Sequence, residues 1–548
     1  MTNRQLGAVI GELPDWKPHE RPAIPGTPAT PDFPTPVRIG YGLAGLLLGL
    51  TGGFGTALVG VNLPAIQGQL GLDTVQGTWL SCIYVMFNVS MNLLLIKYRQ
   101  QFGLTSFTKV FMLIYAAAVV GMLLIDSFAG ALVMRAIGGV AGAALGALAV
   151  MYMSQSMPAR MRLQTIVLGI GASQLAMPLA WMLSPSLLEF GDWQSLYALE
   201  AGLALASLAA VYAFPMPHGI RVLAFERKDF ISFALLAPGF ALLVAVVAQG
   251  RNHWWLDAGW LGWALAGAIA LIGAGLAFEH RRSKPLLDTH WLFSLGFMNF
   301  AFSLLLVRML LSEQPFGATG LLMTLGFGTD QLRELYGVAL AATVAGVLVS
   351  AFSLLISPKL IVAQLLLSLI LIIVGSLMDA RATAATHPAD LYVSQALLSF
   401  SGAMFMGAAV IIGIGHLMKR GLDSVITFAV VFGVTQILGG QLGAAILSTF
   451  QAMRVQHHLG YLAEGLAIGD ASAAAAVQAY GGIAGLAQQA SQQASILAFN
   501  DVFLLIAAFA ALQLAINLAD MALQALRSRK ASPQPAAGGD RAAGAASI

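Results

Sequence analysis

The chain has 548 residues, of which 58% are hydrophobic and only 10% charged, and its mean hydropathy is +0.80. Soluble domains carry charge at about a quarter of their positions, so one water-soluble core is excluded and lipid must solvate much of this surface. The net charge of +3 is too small to point to nucleic acid, and with Cys82 as the only cysteine an intrachain disulfide or a thiolate zinc site is excluded.

Residues 1–37 are rich in proline from Pro14 to Pro36 and show no apolar period. They read as an extended, disordered cytoplasmic tail. Apolar stretches long enough to cross a bilayer, which takes about 20 residues in a helix, then recur at 39–62, 77–97, 107–126, 128–152, 163–184, 193–214, 229–249, 260–279, 294–325, 335–356, 360–379, 390–416, 424–449 and 500–525. The ninth is too long for a straight crossing and contains Pro315, which predicts a kink, a tilt or an emergent end. The expected fold class is therefore an all-α membrane protein with fourteen transmembrane helices. The boundaries divide the chain into the tail 1–37, a first helical bundle over 38–214, two further helices in 215–285, a second bundle over 286–526 with an outer loop at 450–499, and a disordered cytoplasmic tail at 527–548.

Basic residues test the count independently, because short cytoplasmic loops retain them. Of the 28 lysines and arginines, 22 fall in the tails and in alternate loops that the parity places with the N-terminus, and only Arg251, Arg333, Arg381 and Arg454 fall in the others. Even parity with both ends cytoplasmic follows, in a cell inner membrane. The 450–499 connection is the longest on the outer side, with His457 and His458 near its start; adjacent histidines without a third ligand read as a solvated loop rather than a metal site.

Six segments stand out in chain order: Val61-Asn62-Leu63-Pro64-Ala65-Ile66, Gly77-Thr78-Trp79-Leu80, the "RxxxG"-like run from Leu132 through Arg135 to Gly139, and Arg281, Arg282, Pro285, Leu286, Leu287 and Asp288. Thr435 to Ile446, with Gly439 and Gly440, and Ala498-Phe499-Asn500-Asp501-Val502-Phe503 complete the set. Together and in this order they resemble the fourteen-span EmrB/QacA-type drug:proton antiporters of the major facilitator superfamily. The resemblance implies the major facilitator fold, two six-helix bundles with two inserted helices between them, and alternating access around a midplane site. It further implies export of drugs or small amphipathic or aromatic compounds by proton antiport, with no cofactor and no enzymatic activity. A periplasmic adaptor and an outer-membrane channel are implied partners where the host has two membranes, beside membrane lipid and the small-molecule substrate.

The sequence also departs from that pattern. Gly55 stands where relatives usually carry a first-helix acid, Gln100-Gln101-Phe102-Gly103 replaces an acidic-basic gating loop, the fifth-span signature is reduced to Gly171 through Pro178, and Gln436 replaces an arginine. These changes leave two alternatives beside drug export: a carrier for one endogenous metabolite, such as a siderophore or an aromatic acid, with altered coupling, or a non-transporting scaffold. No phosphate-binding glycine loop, zinc-protease helix or G-x-S-x-G turn is present.

An ionisable group in hydrocarbon costs about 2.5–3.5 kcal/mol on insertion scales and is retained when paired, wetted or useful. Arg135 and Glu200 lie at similar depth in the fourth and sixth spans. Together they form the expected proton-coupling or charge-relay site, and a structural Glu–Arg pair is the other reading. In the ninth span Arg308 and Glu313 are five apart, a spacing that turns them away from each other on an ideal helix. They, with Asn88, Asn92, Gln174, Asn299, Gln395 and Gln436, are the candidates for the substrate cavity, and for each single amide a bridge between helices is the leading alternative. Gly138, Gly142 and Gly146, like Gly439 and Gly443, sit at the four-residue spacing that lets helix backbones approach.

Overall fold

A computed structural model describes residues 9–11, 15–22, 24–125, 127–190, 193–357, 359–421, 424–464 and 471–531. Fourteen of its helices are long and apolar enough to cross a membrane. They are α1 (Thr35–Leu70), α2 (Thr74–Phe102), α3 (Leu104–Met122), α4 (Phe128–Met153), α5 (Ala159–Glu189), α6 (Gln194–Ala213), α7 (Arg227–Gly250) and α8 (Gly259–His280). The second half holds α9 (Leu295–Thr324), α10 (Arg333–Leu355), α11 (Leu360–Asp379), α12 (Pro388–Arg420), α13 (Val425–Glu464) and α14 (Ile483–Ala531). The expected all-α membrane class and the number of spans hold.

Local chemistry sets several boundaries. Asp73 caps α2 through a reciprocal capping box with Gln76, and Ser127 caps α4 by accepting the Gly130 N–H. Helix α1 runs on through Pro64 and stops at Gly71, whose φ of 63° terminates it in the left-handed conformation. Helix α9 is the irregular one. Its backbone passes through a π-helical stretch at Glu313–Ala318, around Pro315, where the proline lacks the N–H that a regular turn would use.

In the first bundle α1 packs on α4, α5 and α6, with α2 and α3 against α4; in the second, α12 packs on α10 and α11, α9 on α13, and α14 on α11 and α13. The bundles meet where α5 touches α10 and α12 and where α2 touches α13. Helices α7 and α8 pair with each other and dock on α2. The dock is ionic at its base: Lys97 Nζ lies 2.7 Å from Asp229 Oδ2, and Arg282 donates to Asp229 Oδ1 at 2.8 Å and to Glu279 Oε1 at 2.7 Å. Glu279 also accepts the Leu286 and Leu287 N–H groups, while Asp288 accepts from Arg420 at 3.0 Å, from Ser424 and from the Trp291 N–H. The Arg282 to Asp288 stretch is thus a junction tying the inserted pair to the segment between α12 and α13.

Three sequence expectations need correction. The described part of residues 1–37 is not free chain. Gly26 and Ala29 N–H groups donate to Ile220 O and His218 O, Ile10 N–H donates to Arg221 O at 2.9 Å, Gln100 donates to Pro25 O, and Arg162 bonds His19 O and Thr30. Extended, proline-rich backbone exposes unpaired carbonyls and amides, and here they find partners in connecting segments remote in sequence. The 450–499 loop also contracts, because α13 and α14 continue for 40 and 49 residues and leave only residues 465–482 between them. Of these, 465–470 lie outside the described residues and Ala471–Ala479 is a short helix. The C-terminal tail expected at 527–548 is helical to Ala531, and its remainder lies outside the described residues.

Candidate functional site

The first bundle closes around a cluster of polar side chains built on glycine. Gly55 of α1 has no side chain, and a Cβ there would lie 2.5 Å from the Tyr84 hydroxyl and 2.7 Å from that of Tyr115. Gly142 of α4 likewise makes room for Tyr84, and Gly139 lets α4 approach the Tyr84 backbone carbonyl. Helices α1, α2, α3 and α4 can therefore converge on two phenols, and the smallness of the glycines is used for Tyr84 as well as for helix contact. Gly146 meets nothing within 4 Å.

Into this space come the two intramembrane charges of the first bundle. Arg135, 4% exposed, donates from Nη1 to Gly55 O at 2.7 Å and from Nε to Leu80 O at 3.1 Å, and its guanidinium lies over the Tyr84 ring at 4.4 Å. Glu200, 1% exposed, accepts the Tyr115 hydroxyl at 2.7 Å on Oε1. Tyr115 also reaches Thr51 O. A cavity of about 10 Å³, the size of a single water site, is lined by Tyr84, Tyr115, Arg135, Tyr197 and Glu200 among others. Arg135 Nη2, Glu200 Oε2 and the Tyr197 hydroxyl have no hydrogen-bond partner among the described residues. The structure thus brings the two expected residues to one cavity without a direct ion pair between them, and two tyrosines absent from the sequence reading mediate the site.

The second bundle separates Arg308 from Glu313. Arg308 Nε donates to Gln436 O at 3.2 Å, and its stem packs against Gly439, where a Cβ would stand 2.9 Å away. Both side-chain polar atoms of Gln436 are buried without a partner among the described residues. Gly443 similarly admits Ser312 and the Met309 backbone, so Gly439 and Gly443 serve close packing. Glu313, buried in the π-helical stretch, turns instead to Gln395 of α12, whose Nε2 donates to both its oxygens at 3.3 and 3.2 Å and to Asp379 Oδ2 of α11 at 2.8 Å.

Of the remaining candidates, Asn92 donates to Asn88 O at 2.9 Å and faces Gly433 of α13 across the bundle junction. Gln174 is the last helical residue before the break in α5 at Leu175. Asn299 is exposed on α9 and joins none of these clusters. The paired histidines divide: His458 meets Asp501 at 2.6 Å beside Arg454, which pins α13 to α14 beyond the apolar region. Cys82 is buried.

No family model and no curated protein matches the sequence. Solved structures do match in fold. A mutant of the peptide transporter POT has a TM-score of 0.56 at 13% identity, over 90% of this chain and 96% of that one. The human organic anion transporter MFSD10 (TETRAN) has a TM-score of 0.53 at 14% identity, over 87% of this chain and 100% of that one. The major facilitator superfamily proton:xylose symporter XylE, bound to 6-bromo-6-deoxy-D-glucose, has a TM-score of 0.51 at 14% identity, over 87% and 96%. The chain has the fold of major facilitator transporters, a multi-pass membrane architecture.

Proposed function

We propose that this protein is a secondary active transporter that exports small amphipathic or aromatic compounds in exchange for protons, by alternating access of the two bundles, and that it is not an enzyme. The observation that carries the reading is the buried Glu200 carboxyl, hydrogen-bonded to Tyr115 and sharing a cavity with Arg135. A carboxyl enclosed in a bundle with no direct ion-pair partner is a costly feature, and a role in titration or binding is the default reading of such a group. Its partner Tyr115 places a hydroxyl in the space beside Gly55, where the antiporters that this sequence resembles carry a first-helix acid. In this mechanism Glu200 takes a proton from the outer side, and Arg135 and the two phenols reorganise around the neutral acid as the bundles rock. The proton leaves to the cytoplasm when substrate binds.

The same reading places the protein in the cell inner membrane with both termini cytoplasmic, and makes the ends of α13 and α14, which continue beyond the apolar region, the surface for a periplasmic adaptor. In proteoliposomes loaded with ethidium as an amphipathic probe, an imposed pH gradient should drive flux in the wild type. Glu200→Gln should retain exchange of the probe and lose its accumulation. Gradient-driven flux equal to wild type in Glu200→Gln would remove Glu200 from the mechanism, and no flux with any probe would favour a scaffold.

A second reading concerns the substrate. Among the described residues Arg308 has no carboxylate partner, and the Gln436 amide beside it is unsatisfied. A cation and an amide held together in the second bundle suit an organic carboxylate, which favours an aromatic acid over a cationic drug. Competition of labelled benzoate flux by unlabelled aromatic acids, lost in Arg308→Gln, tests this.

A further inference from the structure

The second bundle holds a titratable cluster that the antiport mechanism above does not use. Glu313, Asp379 and Gln395 come from three helices, α9, α11 and α12, and are 0%, 1% and 0% exposed. One amide nitrogen donates to both carboxyls, at 3.2 Å to Glu313 Oε2 and 2.8 Å to Asp379 Oδ2, so the two groups converge on a single donor. Ionised carboxylates only accept hydrogen bonds. Two buried carboxyls that converge on one amide donor relieve their mutual repulsion when a single proton is shared between them.

Among the described residues the surroundings supply no cation. Neither carboxyl has an ion-pair partner among the described residues, and Arg308, on the same helix, is committed to Gln436 O. From α10 the facing titratable group is Tyr336, whose hydroxyl is engaged with Thr319 at 2.6 Å. From α12, Ser394 adds a hydroxyl beside Asp379. From α14 the facing groups are apolar, with Phe503 against Gly317 and Phe499 against Gly320. Two unprotonated carboxylates in this enclosure would repel each other with no cation to offset them. The cluster also sits on the irregular part of α9, and π-helical stretches of this kind occur often at functional positions.

We propose that Glu313 and Asp379, bridged by Gln395, form a second proton-binding site that holds one shared proton. In loading, a proton from water forms an O–H bond on one carboxylate and hydrogen-bonds to the other; in unloading, that O–H bond breaks and the proton returns to water. A role for this proton in transport rests on the antiporter reading, whereas its presence does not.

The test is infrared spectroscopy of the full-length protein in lipid at pH 7, with no substrate needed. The wild type should show a carboxylic-acid C=O band. Isotope labelling of glutamate side chains should move it if Glu313 carries the proton, and Asp379→Asn should shift its frequency. Glu313→Gln should remove this component, and Glu200→Gln should leave it in place. A spectrum unchanged in both Glu313→Gln and Asp379→Asn would overturn the proposal, as would loss of the band on adding sodium at constant ionic strength, which would assign the site to a metal cation. If either variant fails to fold, the wild-type spectrum alone still decides: absence of any carboxylic-acid band at pH 7 refutes the shared proton. Transport failing with the band intact would sink the antiporter reading and leave the proton site standing.

Discussion

Trp181 and Tyr336 lie face to face, with ring centroids 4.8 Å apart and planes within 4°, and so join α5 of one bundle to α10 of the other. Tyr336 is held in turn by Thr319 of α9. Because Trp181 is near the end of α5 and Tyr336 near the start of α10, the stack closes the two bundles at the face opposite the proline-rich segment. Aromatic pairs contribute about 0.5–1.5 kcal/mol beyond their buried area, enough to move a two-state equilibrium by up to about tenfold. Trp181→Ala should raise the labelling rate of Gly337→Cys by an impermeant maleimide several-fold. The background is low because the native Cys82 is buried. Unchanged labelling would show that the stack does not hold this face closed.

Gly55→Ala should destabilise the protein, since the new methyl would stand 2.5 Å from the Tyr84 hydroxyl and 2.7 Å from the Tyr115 hydroxyl. Overpacking of this kind costs about 1–3 kcal/mol. Adding Tyr84→Phe should recover part of the loss, because it removes one clashing oxygen. Thermal unfolding of the single and double variants in detergent measures this, and strictly additive losses would argue that the two positions do not meet.

Arg282→Met should loosen the inserted pair. The guanidinium side chain is 3% exposed and faces Asp229 and Glu279, both 0% exposed, so its removal leaves buried carboxylates short of their partner. Breaking a buried pair from one side costs about 3–5 kcal/mol. Here Lys97 still serves Asp229, so the lower end of that range is expected in thermal unfolding, with faster proteolysis between α6 and α7.

Burial alone would raise the Asp288 carboxyl, but hydrogen bonds from Arg420, the Trp291 N–H and Ser424 outweigh it and hold the group below its ordinary value of 3.8. A depressed folded value means that the stabilisation is fully present above the unfolded value and disappears as pH falls through the folded one. The stability advantage of the wild type over Asp288→Asn should therefore be constant near neutral pH, begin to fall at about pH 4 and be gone once pH is below the folded value. The advantage itself should be no more than about 1 kcal/mol, because Arg420 is 46% exposed. A difference that grows on acidification would contradict this sign.

The membrane architecture was legible in the sequence because its signals are local: runs of apolar residues, and alternation of basic loops. Arg135 and Glu200 were legible as expensive groups at matching depth, but not their partners, since Tyr84 and Tyr115 look like ordinary apolar content until Gly55 and Gly142 are seen to open space for them. Asp379 escaped notice because it ends α11 beside Arg381 and Thr383, a context that reads as a solvated turn. Its burial depends on Gln395 and Glu313, which no local pattern connects to it. The signal that was available is Glu313 itself, an acid in an apolar stretch that needs some buried partner. The ends of α13 and α14 were misread as loop because Ala and Gln dilute the apolar pattern, although both are strong helix formers.

Helix α13 is one unbroken rod of 40 residues, or about 60 Å at the α-helical rise, and roughly half of that length suffices for the bilayer. At one end its Arg454 and His458 are fastened to Asp501 of α14; in the middle Gly439 rests on Arg308 and Gly443 on Ser312. A rod held this way acts as a lever, so a tilt of its Glu464 end is carried, without any change in secondary structure, to the turn at Gly439 that rests on Arg308.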